Sequence, residues 1–74
     1  MIYTDKFNGN GTATIFTLSA MPVSPQDVVA EFDGYPRTYG QDFCLQTHYI
    51  IFIEKPSVGV DNVIVRYDGE PLPQ

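Results

Sequence analysis

With 74 residues and a single cysteine, Cys44, the chain has room for one domain and no intrachain disulfide. Its one histidine, His48, leaves no zinc set of the Cys/His kind. A formal net charge of −5, with Lys6, Arg37, Lys55 and Arg66 scattered along the chain, argues against the basic patch that nucleic-acid binding requires.

Residues 2–7 open the chain as a strand rich in β-branched and aromatic residues, and Asn8-Gly9-Asn10-Gly11 follows as a turn. Residues 12–18 return as a second strand, so the first two are expected to pair as a hairpin. Residues 19–26 are expected to be a loop, because Pro22 and Pro25 remove donors. A third strand over 27–32 ends at Asp33-Gly34, a tight-turn signal. A short edge strand at 35–39 contains Pro36. Residues 42–46 form the next strand, Thr47-His48 a turn, 49–54 the most apolar strand and 62–67 the last. Residues 1–69 are thus expected to make a single β domain, and residues 70–74 an extended Pro-containing tail. Nowhere do apolar residues keep helical spacing. The expected fold is all-β: a small antiparallel sandwich, or a partly open barrel, of about six or seven short strands.

Alternation assigns the core to Val28, Ala30 and Phe32, to Phe16 and Leu18, and to Val63, Val65 and Tyr67, with Phe43 and Leu45 added. The strand at 49–54 breaks the pattern. Ile50 and Phe52 share one face, yet Tyr49, Ile51 and Ile53 make the opposite face apolar too. One reading covers that second face with the 19–26 loop or the tail. The other makes Tyr49, Ile51 and Ile53, joined by Ile15, Ile64 or Val29, a protein-interface surface. A domain this short buries only about 60% of its unfolded surface, so partner subunits are the expected source of extra stability, as a homo-oligomer or multicopy assembly.

Catalytic chemistry finds no constellation. His48 sits in a turn with nothing recruiting it to Ser19, Ser24 or Ser57, and Cys44 at i−4 from it has no defined geometry. The aspartates fall at strand ends and turns, and no calcium loop pattern is present. No catalytic residues, no metal ligands and no cofactor are expected. No apolar run approaches the roughly 20 residues that span a bilayer, and Met1–Lys6 lacks the apolar stretch of a signal peptide. Neither a membrane nor a nucleic acid is an expected partner.

The order Phe7-Asn8-Gly9-Asn10-Gly11-Thr12, Ile15-Phe16-Thr17-Leu18, Val28 through Gly34, Gly40-Gln41-Asp42-Phe43, Ile50-Ile51-Phe52, Pro56 through Gly59 and Val63 through Tyr67 resembles a small β-module of tailed bacteriophages. That module attaches tail fibres and tailspikes at their N-termini, and it is similar to stand-alone virion accessory proteins. The resemblance covers about Tyr3 to Asp68. It implies a non-enzymatic virion structural protein assembled in the host cytoplasm, bound to other phage structural proteins of capsid or tail. Because the sequence ends at Gln74 and no fibre shaft follows, a capsid decoration or cement subunit, or a tail adaptor, is expected. The alternative is a carbohydrate- or receptor-binding module of a tail fibre, using Tyr35, Tyr39 and Tyr49.

Overall fold

The computed structural model describes residues 1–73; Gln74, the last residue of the expected tail, lies outside them. The strands in chain order are β1 (Ile2–Phe7), β2 (Ile15–Thr17), β3 (Ala20–Pro22), β4 (Val29–Phe32), β5 (Tyr35–Arg37), β6 (Phe43–Gln46), β7 (Tyr49–Phe52) and β8 (Val63–Pro71), with one 3-10 turn over Pro25–Asp27. All strand pairings are antiparallel. They form a five-stranded sheet, ordered β1-β8-β4-β5 with β3 joined to β8, and a three-stranded sheet ordered β2-β7-β6. The two sheets make the expected small all-β sandwich.

The core contains the residues that alternation assigns and adds Ala20, from the segment expected as a loop. Val28, Ala30, Phe32, Val63, Val65 and Tyr67 line the larger sheet, and Leu18, Phe43, Ile50 and Phe52 the smaller, all buried. Phe16 and Leu45 are half-buried and pack against this cluster. Phe52 is the hub, with ring centroids 4.5 Å from Phe32, 5.7 Å from Phe43 and 6.0 Å from Phe16. Tilted and edge-on arrangements like these suit the aromatic quadrupole. The Asp33-Gly34 turn is present as expected. Both residues have positive φ, 52° and 85°, which is the type I′ geometry that joins Phe32 to Tyr35 across a two-residue hairpin.

Three sequence expectations are corrected. The first two strands do not pair: β1 pairs with β8, and β2 with β7 in the other sheet. The Asn8–Gly11 segment is a crossover between layers and is held from the side. The Gly9 N–H donates to Asn62 Oδ1 at 2.7 Å, and Asn62 Nδ2 donates to the Ser57 carbonyl at 2.8 Å. A Cβ on Gly9 would stand 2.0 Å from that same carbonyl oxygen, so glycine is required by close approach. The 19–26 segment, expected as a loop, contains β3, which pairs Ala20–Pro22 with Gly69–Pro71 of β8. The last strand, expected to end at Tyr67, therefore runs on to Pro71 and takes in two residues of the expected tail.

Candidate protein-interaction surface

The outward face of the smaller sheet is set by the register of its strands. Ile15, Ile51 and Cys44 form one cross-strand row, and Thr17, Tyr49 and Gln46 the next. None of these side chains carries a formal charge, on a molecule with a net charge of −5. Ile15 is 58% exposed, Tyr49 40% and Ile53, just past β7, 78%; Ile51 is half-buried between its neighbours. Cys44 is an exposed free thiol, and the His48 ring lies 4.4 Å from that of Tyr49. The 19–26 segment does not cover this face, because β3 is committed to β8.

Three of the five expected interface residues, Ile15, Tyr49 and Ile51, thus belong to one sheet, and a fourth, Ile53, directly follows its central strand. The fifth lies elsewhere. Ile64 lies on the outward face of the larger sheet, half-buried between Lys6 and Glu31 in the register. Val29 is also on that sheet, opposite Arg66. Alternation identifies an outward position but not the sheet it belongs to, and the larger sheet's outward face is interleaved with charge. Of the three tyrosines, Tyr35 is on β5 of the larger sheet and Tyr49 on β7 of the smaller, while Tyr39 follows β5 and bridges to Phe43 of β6. Val58 and Val60, 79% and 83% exposed, were not anticipated. Two valines flanking Gly59 in a turn region are the sequence signal for them. Their loop is fastened to the crossover by Gly59 N–H donating to the Gly9 carbonyl and Gly11 N–H to that of Pro56.

Several polar side chains are engaged in building the fold. The Tyr67 hydroxyl donates to Asp5 Oδ2 at 2.7 Å and accepts the Ala20 N–H at 3.1 Å. Asp5 also accepts the Ser19 hydroxyl and N–H, at 2.6 and 3.0 Å. Burial, and then the hydrogen bond to Asp5, push the Tyr67 phenol above the usual tyrosine value. Arg37 ties the layers together, bonded to Glu54 at 3.0 Å and lying 4.9 Å over the Phe32 ring. Among the described residues, no group of three or more His, Cys, Asp or Glu is placed to hold a metal ion, and no helix is long and apolar enough to cross a membrane. Two shallow grooves of about 390 and 430 Å³ flank Val29, on the larger sheet.

Compared with protein-family models, curated protein sequences and solved structures, the chain matches none of them.

Proposed function

We propose that the chain is a non-enzymatic structural subunit of a tailed-bacteriophage particle, a capsid decoration, cement or tail-adaptor protein. It docks on another virion protein through the outward face of the smaller sheet. The observation that carries the docking role is the uncharged, largely exposed Ile15–Ile51–Ile53–Tyr49 face on an otherwise acidic molecule. Fully burying one such side chain contributes about 1.5–3 kcal/mol, so this cluster suffices to anchor a contact. The resemblance of the residue order to phage attachment modules supports the setting.

Mass spectrometry of purified particles tests the setting. The chain is expected among the particle proteins, with many copies for a capsid decoration and few for a tail part, and its absence overturns the reading. The docking face is tested by Tyr49→Glu with Ile53→Glu. This double variant should retain the wild-type circular dichroism while being lost from particles; normal incorporation would eliminate the face.

A further inference from the structure

Each edge of the two sheets can be asked whether it is blocked against another strand. On β1 the exposed edge carries Lys6, and Asp5 points inward, both common devices against pairing. β5 contains Pro36. The start of β6 is covered by Tyr39 and Gly40, with Gly40 N–H donating to the Phe43 carbonyl. β2 is short, three residues, but carries no charged residue and no proline.

Its hydrogen-bonding directions are fixed by its partner. The Phe52 N–H donates to the Thr14 carbonyl and the Leu18 N–H to the His48 carbonyl, with Phe16 opposite Ile50. Backbone groups alternate sides along a strand, so Thr14, Phe16 and Leu18 face β7. The N–H and C=O groups of Ile15 and Thr17 therefore point away from the sheet, and no hydrogen bond among the described residues uses them.

We infer that β2 is the joint of a two-fold dimer in which a second copy adds its own β2 antiparallel to this edge, making a continuous six-stranded sheet. One register satisfies every free group. With Phe16 on the two-fold axis, Ile15 exchanges both bonds with Thr17 of the second copy, and Thr17 with Ile15. The same register keeps outward side chains outward, which a one-residue slip would not. It sets Ile15 beside Thr17 of the mate and Phe16 beside Phe16, favourable cross-strand pairs. Phe16 is half-buried in the single chain and stacks on Phe7 at 5.0 Å, so its remaining surface lies at the joint.

Length selects a second copy as the occupant. The open edge is bounded at both ends, because the chain turns toward the larger sheet after Leu18 and arrives from it before Thr14. A long foreign strand would overrun this window, whereas β2 of a second copy ends in the same way. Area points in the same direction. Three strands about 4.8 Å apart and four residues of about 3.3 Å present a face of only roughly 200 Å², against about 800 Å² per partner in a standard interface. Joining two copies doubles the uncharged face without placing any charged side chain on it. The joint rests on hydrogen-bonding geometry and is independent of the virion setting.

Sedimentation velocity and amide exchange on the intact chain test this. The mass should rise toward twice the 8.3 kDa of one chain as concentration increases. The Ile15 and Thr17 amides should slow in proportion to the dimer formed. Thr17→Lys should abolish the dimer with unchanged circular dichroism, while Thr4→Lys on the β1 edge and Ile53→Glu on the docking face should leave it intact. A monomer up to millimolar concentration overturns the inference. So does a dimer whose Ile15 and Thr17 amides stay unprotected, or one that survives Thr17→Lys.

Discussion

At the scale of single residues, two buried polar side chains hold the layers in place. Replacing Tyr67 by Phe leaves the buried Ala20 N–H without its acceptor and removes one of the three donors to Asp5. A loss of about 1–3 kcal/mol in denaturant unfolding is expected, the usual penalty for an orphaned buried group. The raised Tyr67 pKa has a pH signature of its own. The folded state holds the phenolic proton more tightly than the unfolded chain, so this contribution is fully present below the ordinary tyrosine range. It declines as pH rises through that range toward the folded value. A thermal melt series from neutral to strongly alkaline pH should show that decline, and Tyr67→Phe should remove it. Asn62 and Gly9 form the second fastening. Gly9→Ala would press a methyl against the Ser57 carbonyl and should destabilise by about 1–3 kcal/mol or more.

At the scale of elements, alternation within a strand was legible and pairing between strands was not. Val28, Ala30 and Phe32 were readable as core from a period of two alone, and Asp33-Gly34 as a hairpin turn from its φ preferences. The Asn8–Gly11 run carries the same turn chemistry, yet β1 and β2 go to different sheets, because Asn62 and Ser57, far along the chain, hold the crossover. The sheet that carries Ile64 was hidden for the same reason: its outward position is local information, its sheet is not. β3 and the end of β8 were hidden by Pro22, Gly69 and Pro71, residues that disfavour strands except where an edge or short ladder tolerates them. Deleting residues 70–74 should therefore lower the thermal midpoint, since it removes the partners of Ala20 and Met21. A midpoint equal to that of the full chain would show that this short ladder contributes nothing.

At the scale of the whole molecule, the distribution of charge governs association. Two copies each carrying −5 repel one another at long range, while the surfaces that would meet at β2 are uncharged. Dimerisation should thus tighten as salt rises from low ionic strength, because the Debye length shrinks to about 10 Å at 0.1 M and the background repulsion is screened. Sedimentation at a series of salt concentrations gives the sign, and weakening with salt would instead indicate a joint built on ion pairs. The candidate face was legible in sequence as a strand apolar on both sides. Its breadth was not, since Cys44, Gln46 and Thr17 join it only through register.

The position of β8 has a consequence for the order in which the fold forms. β1, β3 and β4 all pair with this one strand, with Ile2 opposite Asp68 and Ala20 opposite Pro71. As the chain leaves the ribosome, those earlier segments have no common partner until residues 63–71 have been synthesised. The β6–β7 hairpin, closed by a two-residue turn, can form before then. Long-range pairing of this kind slows folding and leaves strand edges open in the interim. Lys6 and Asp5 on β1, and Pro36 on β5, thus guard the nascent chain during the interval in which the larger sheet lacks its central strand.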